Sequence, residues 1–406
     1  MYQKIYIKLL RSIWGLYMKK IISALIVLVL VLSLNIGALA AAITPADSDL
    51  SFENGSRVQV NNLSIVNLHG TWYEMGRQYG ALLPNELANV AALCEDVIAA
   101  GEYNAAKAES ILSNQRVQMP YTIREFFRGM EETSGLTMNQ LECANAVERI
   151  AGLPHCSFAA TWDDYAAGDL VLGRNYDYGE VFQLLDHEVV ITVFHPADGA
   201  LPAATIGYSG EIYAVNGMNE AGIFMELNNG TFSSKLKSPN LRITGTTQLL
   251  SMLFEADSLE LMDMYFNSTL NSSAYIINAA DSETVHSYEW CTLGVQRGDG
   301  AEMDGVFAST NHYVSTGWGF DAPDEEASLQ TSQRRANLLA LCEANKGAIT
   351  PEVMMDIIAT RLEDGGAAND LTVYQIVAVP ATRTLWLKMV EQTEWTAFDL
   401  GAFFAQ

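Results

Sequence analysis

HCSFAATWDDYAAGDLVLGRNYDY, running from His155 to Tyr178, is the stretch on which the reading of this chain turns. A cysteine heads a strand-like run, a turn at Ala166 to Asp169 follows, and a return strand ends in Gly173-Arg174-Asn175-Tyr176-Asp177. A hairpin of this shape brings a thiol, a guanidinium and a carboxylate near one another. No other stretch gathers so many reactive side-chain types.

Upstream of it the signals are helical. Residues 43 to 60 are polar and read as an extended lead-in. Thr71 with Glu74 three residues on is a capping-box pattern. Val90, Leu93, Cys94, Val97 and Ile98 recur at helical spacing. Thr137 predicts the start of one helix carrying Leu141, Ala144, Val147 and Ile150, which Gly152 and Pro154 stop.

From Cys156 the period changes to that of strands. Val189–Phe194, Ala203–Tyr208, Ile212–Val215 and Ile223–Leu227 read as strands, 246–266 as one helix, and Ala274–Ala279 with Thr284–Trp290 as a hairpin. Val306–Ser309 is a further strand, helices follow at 331–345 and 351–362, and a last hairpin joins Thr372–Val379 to Thr384–Met389. Runs of strands then helix pairs, in place of alternating βαβ units, predict α+β with antiparallel sheets. Poor alternation within the strands predicts burial on both faces, as in two stacked sheets covered by helices.

Composition narrows the class. Among 406 residues, 49% are hydrophobic, enough for a sizeable core. Met18-Lys19-Lys20, the apolar run from Ile21 to Leu34 and Ala38-Leu39-Ala40 read as an export signal within residues 1–42, with Met18 as an alternative start and an uncleaved anchor as the competing reading. The remainder keeps 18 basic residues against 48 acidic, a net charge of −30 that repels nucleic acid and anionic lipid. Five cysteines (Cys94, Cys143, Cys156, Cys291, Cys342) leave at least one thiol unpaired. With no CxxC and no HExxH, neither a metal site nor a cofactor is expected.

By base rate Cys156 is a buried hydrophobe. Its place behind a Gly-x-Pro break, where helix gives way to sheet, suggests more. Cleavage between His155 and Cys156 would put an α-amine, pKa about 7.7–8.0, beside the thiol as its activating base. Asp177 would orient that amine, and Arg174 would hold the cluster and keep the amine's pKa low by its like charge.

At this point the stretch resembles the nucleophile region of N-terminal-nucleophile hydrolases, of the choloylglycine hydrolase and acyl-CoA:6-aminopenicillanic acid acyltransferase kind (peptidase family C45). The cysteine strand followed by GRN-x-D carries the likeness. Gly217 to Gly222, then Leu227-Asn228, resembles the family's loop and oxyanion-hole asparagine, with Asn229 as the alternative. Thr310-Asn311-His312-Tyr313 resembles its second asparagine motif, and Ser332-Gln333-Arg334-Arg335 its late arginine, Arg335 or else Arg334. His69 to Leu83 resembles a segment found before the cysteine in the acyltransferase branch. One departure is His155, where that branch usually has a small residue.

The resemblance implies a four-layer αββα sandwich, a helical pro-segment at 43–155 and a catalytic chain at 156–406. It implies a secreted, self-processing amidohydrolase or N-acyltransferase that acts on small-molecule N-acyl substrates. The implied site residues are Cys156, Arg174, Asp177, Asn228, Asn311 and Arg335. A homo-oligomer is compatible with this reading; a nucleic-acid partner, or a membrane partner for the mature form, is not expected. The alternatives are a bile-salt-hydrolase-like amidase, an inactive secreted binding protein on the same fold, and a papain-like protease using His312.

Overall fold

The computed structural model describes residues 42–60, 63–101, 105–152, 154–185, 187–236, 243–298, 304–390 and 394–406. Apart from Ala42, the expected signal segment lies outside them. Ile43–Gln406 forms one compact unit.

Two sheets lie at its centre. The strands are β1 (Leu50–Phe52), β2 (Gly55–Val60), β3 (Leu63–Gly70), β4 (Ser157–Thr161), β5 (Val171–Asp177), β6 (Val189–Pro196), β7 (Ala203–Tyr208) and β8 (Asn216–Asn219). They continue as β9 (Phe224–Asn229), β10 (Tyr275–Ala280), β11 (Val285–Cys291), β12 (Gly294–Gly298), β13 (Val306–Ser309), β14 (Thr372–Val379), β15 (Thr384–Met389) and β16 (Thr396–Asp399). The ten-stranded sheet runs β1-β2-β3-β6-β7-β8-β9-β10-β11-β12, and the six-stranded sheet β13-β4-β5-β14-β15-β16.

The helices are α1 (Trp72–Leu82), α2 (Pro84–Ala99), α3 (Ala105–Gln118), α4 (Tyr121–Ser134), α5 (Met138–Ala144) and α6 (Val147–Ala151), then α7 (Gly245–Glu255), α8 (Leu259–Ser268), α9 (Thr331–Ala344), α10 (Pro351–Ala359) and α11 (Leu400–Phe404).

Inward-facing Phe158, Leu172 and Ile376 of the small sheet meet Ile191, Ile206 and Phe224 of the large one in a shared core. On the large sheet's other face, Phe194, Met225 and Ile277 pack with Tyr79, Phe126, Leu250 and Phe266 of α1, α4, α7 and α8. Helices α9 and α10 cover the outer face of the small sheet. The layers are therefore αββα, and both sheets are buried on both faces, which is why their strands show so little alternation.

Several details depart from the sequence reading. The 43–155 segment is not purely helical: β1 to β3 lie in it, and β3 pairs in parallel with β6 across the expected processing point. The helix expected after Thr137 breaks into α5 and α6 at Asn145 and Ala146, where Ala146 N bonds Cys143 O at 3.0 Å in a tightened turn and Asn145 Oδ1 accepts from Ile212 N at 2.7 Å. That contact also explains why Ile212–Val215 is not a strand: Ile212 N bonds Asn145, and Ala214 N bonds Thr246 O at 3.2 Å. The 246–266 helix divides where Ser258 caps α8 through Leu261 N.

Candidate active site

The β4–β5 register builds the site. Ser157 faces Asn175 and Phe158 faces Arg174. Beyond the strand the pairing continues, with His155 N donating to Asp177 O at 2.9 Å. Cys156, just ahead of β4, therefore lies beside the end of β5. The residue is 1% exposed, and its thiol lies 3.9 Å from Asp177 O. Burial raises the thiol's pKa, and the nearby Arg174 charge opposes that rise. Gly173 is required by packing: a Cβ there would stand 2.6 Å from Ile358 Cγ2 of α10.

Arg174 crosses from the small sheet to the large one. It donates to Leu227 O at 2.7 Å and Asn228 Oδ1 at 3.3 Å, and it pairs with the buried Glu226. Asp177 is fully buried; its Oδ2 accepts from Asn369 Nδ2 at 2.8 Å and lies 3.9 Å from Arg334 Nη1. Its Oδ1 has no hydrogen-bond partner among the described residues. Burial, opposed first by Arg334, pushes the Asp177 pKa up to about 6.

The two asparagines of β9 face opposite ways, as strand period requires. Asn228 turns into a buried network between the sheets, donating to Ser309 Oγ at 3.0 Å, with Asn278 bonded to the same hydroxyl at 2.6 Å. Asn229 instead lines a cavity of about 360 Å³ that also reaches Cys156. Its Nδ2 is buried with no hydrogen-bond partner among the described residues.

The two arginines of α9 also part company. Arg335 Nε donates to Ala308 O at 2.9 Å, on the β13 side. Arg334 is fully buried and reaches His155 O at 2.6 Å, Cys156 O at 3.1 Å, Asn311 Oδ1 at 3.0 Å and Leu329 O at 2.8 Å. Asn311 Nδ2 in turn donates to Asn229 O at 3.1 Å.

The structure thus brings Cys156, Arg174, Asp177, Asn229, Asn311 and Arg334 together; Asn228 meets Arg174 through its amide oxygen but turns its amide nitrogen to Ser309, and Arg335 turns to Ala308. His312 is held by Thr331 Oγ1 at 3.0 Å and does not line the cavity, so no papain-like pair forms.

No family model matches the chain, and no curated protein does. Solved structures do. An ortholog of N-acylethanolamine-hydrolyzing acid amidase from Caenorhabditis elegans is 17% identical, with 55% of this chain and 93% of that chain covered, at a TM-score of 0.42. A mutant of the conjugated bile acid hydrolase from Clostridium perfringens is 14% identical, covering 60% and 92%, with a TM-score of 0.42. Penicillin V acylase from Agrobacterium tumefaciens is 8% identical, covering 60% and 86%, with a TM-score of 0.40. Each of the three is covered over most of its own length, and this chain over 55 to 60% of its length.

Sequence reasoning missed the cavity's other walls. Lys107, Ile111 and Asn114 of α3 and Glu148 and Arg149 of α6 contribute, so the segment before Cys156 forms part of the pocket. Opposite them are Tyr176, Tyr178, Tyr213, Val215, Leu227 and Tyr275. Of the aromatics in and just after the β4–β5 hairpin, Tyr176 and Tyr178 line the cavity, whereas Phe158, Trp162 and Phe182 belong to the core between the sheets. Among the described residues no group of three or more metal-ligating side chains occurs, and no helix is long and apolar enough to cross a membrane.

Glu148 is buried in this wall. Its carboxyl accepts from Tyr176, and Tyr213 Oη lies 3.0 Å from Glu148 Oε2 and 2.7 Å from Glu211 Oε1. One hydroxyl can donate to only one of two carboxylates, so this geometry favours a proton on one member of the pair. Burial pushes the Glu148 pKa up to about 7 and that of Glu211 well above its ordinary value.

Proposed function

We propose that this protein is an exported, self-processing cysteine amidohydrolase or N-acyltransferase that cuts linear amide bonds of small N-acyl compounds. The observation that carries the reading is the end of the β4–β5 hairpin, where Cys156 lies against Asp177 and opens onto the cavity lined by Asn229, whose Nδ2 has no hydrogen-bond partner among the described residues.

In the uncut chain the Cys156 nitrogen is an amide and cannot act as a base. Cys156 Sγ attacks the His155 carbonyl carbon, the C–N bond breaks, and the acyl group passes to sulfur as a thioester. Water hydrolyses that ester, leaving a His155 carboxylate, a free thiol and a new α-amine. Asp177 Oδ1 then orients the amine.

In turnover the amine takes the thiol proton and the thiolate attacks the N-acyl carbonyl. Asn229 Nδ2 stabilises the oxyanion, a contribution of about 100- to 1000-fold for one such donor. The departing amine takes the proton back, and water or a second amine accepts the acyl group. Arg174 fixes β9 beneath the cavity and keeps the α-amine's pKa low.

The test is hydrolysis of a panel of N-acyl amines by the parental protein and by Cys156→Ala, with titration of fast-reacting thiols. Turnover and one fast thiol in the parent, both absent from the variant, are expected. No fast thiol in the parent would favour an inactive binding protein on this fold.

A further inference from the structure

The site offers oxyanion donors at two places, and they differ in kind. Arg334 Nη1 is 2.6 Å from His155 O, the oxygen that would become negative when Cys156 attacks the preceding carbonyl. Asn229 lines the cavity, and its buried Nδ2 has no hydrogen-bond partner among the described residues; Arg334 does not line the cavity. We propose that Arg334 is the oxyanion donor of self-cleavage and is used there once, whereas substrate turnover relies on Asn229. This rests on the self-processing reading above.

The geometry around Arg334 supports a built site. The guanidinium is fully buried, and four other acceptors fix it: Cys156 O, Asn311 Oδ1, Ser328 O and Leu329 O. Its carboxylate neighbour, Asp177 Oδ2, is 3.9 Å away, so much of its charge remains for the carbonyl. A hydrogen bond from a buried cation strengthens as its acceptor gains charge, and no reorganisation is needed because the donor is already in place. His155 O and Cys156 O both face Nη1, whereas successive carbonyls of a pleated strand point opposite ways. The chain thus leaves the strand geometry at the bond to be cut, and the arginine is where that departure is satisfied.

During the attack the Cys156 sulfur bonds to the His155 carbon, and the carbonyl's π electrons move onto the oxygen facing Arg334. As the tetrahedral centre collapses, the C–N bond breaks and the Cys156 nitrogen leaves with the thiol's proton. Once water has released His155, this oxygen is part of a departing carboxylate, and Arg334 Nη1 keeps Cys156 O while Nη2 and Nε keep Asn311 Oδ1, Ser328 O and Leu329 O. The carbonyl of an incoming substrate approaches from the cavity and meets Asn229.

The two roles separate by substitution in the full-length chain. Self-cleavage is followed by intact mass under denaturing conditions, and turnover is normalised to cut protein. Asn229→Ala should cut itself at the parental rate but turn over substrate 100- to 1000-fold more slowly, on the order found for single oxyanion donors. Arg334→Gln should accumulate as a single chain, with cleavage slowed roughly 100-fold or more. Arg334→Lys keeps the charge but cannot span His155 O, Asn311 and Leu329 together. It should slow cleavage by about tenfold, a measurable rate even if the glutamine variant fails to fold. Cleavage at the parental rate in either arginine variant would overturn the proposal, as would a block of cleavage in Asn229→Ala. A parental protein that never cuts itself would instead remove the self-processing reading.

Discussion

Asn311 Nδ2 donates to the backbone oxygen of Asn229 at 3.1 Å, while Asn311 Oδ1 accepts from Arg334 at 3.0 Å. Asn311 therefore ties the arginine at the His155 carbonyl to the asparagine in the cavity wall. Asn311→Ala would leave a buried carbonyl and a guanidinium nitrogen each short of a partner, at a cost of about 1–3 kcal/mol. Urea unfolding should show that loss, and turnover should fall less than in Asn229→Ala. An Asn311→Ala variant of parental stability would remove the linking role.

Asp177 is expected to orient the new amine without being consumed. Asp177→Asn should keep the fold, because Asn369 Nδ2, its present partner at 2.8 Å, can still bond an amide oxygen. Turnover should drop by at least tenfold. Circular dichroism and steady-state kinetics check the two halves, and parental turnover would show that the assigned role is wrong.

The Glu148 and Glu211 pair fixes a pH dependence. The Glu148 pKa rises from 4.5 in the unfolded chain to about 7 in the folded one. Between those values the folded chain holds a proton that the unfolded chain has lost. Stability is therefore fully present below about 4.5 and falls as pH rises through about 7. The effect is up to roughly 3 kcal/mol for a single group shifted this far. Asp177 adds to the same trend up to about 6. The charged neighbours Arg149 and Arg174 oppose it by favouring the ionised Glu148. Melting temperature should decline from pH 5 to pH 8, and Glu148→Gln should flatten the decline. A profile that rises over this range would contradict a proton on one member of the pair.

The cavity's wall of Tyr176, Tyr178, Tyr213, Val215, Leu227 and Tyr275 implies selection on the acyl side. Burying each added methylene is worth about 0.8 kcal/mol, so kcat/KM should rise about fourfold per methylene until the chain outgrows the space. An acyl-length series at constant amine measures this; a flat response would sink it.

How far the sequence alone reached depends on the kind of signal. The Thr71–Glu74 capping box and the hairpin after Thr372 are local chemistry, and both stand in the structure as read. Two stacked sheets covered by helices were legible in the poor alternation of the strands and the resemblance named the four-layer order, but which face each strand turns inward was not legible, since strands buried on both faces carry no alternation to orient them. The choice between Asn228 and Asn229 is a matter of strand register, where a slip of one residue reverses the face. Arg334 and Arg335 are adjacent on one helix, and only the packing of α9 against β4 and β13 sets which of them points inward. Residues such as Glu148 and Lys107 had no motif to mark them, because their place in the cavity comes from tertiary packing. The break at Ser258, by contrast, was signalled by a capping residue inside an otherwise helical run.

The intact mass of the purified parental protein, measured under denaturing conditions beside Cys156→Ala, tests the central claim most directly. The account predicts two parental fragments, the larger beginning at Cys156, and a single inactive chain for Cys156→Ala. A parental protein that stays whole yet turns over N-acyl substrate would contradict it, because Cys156 would then be working without a free α-amine.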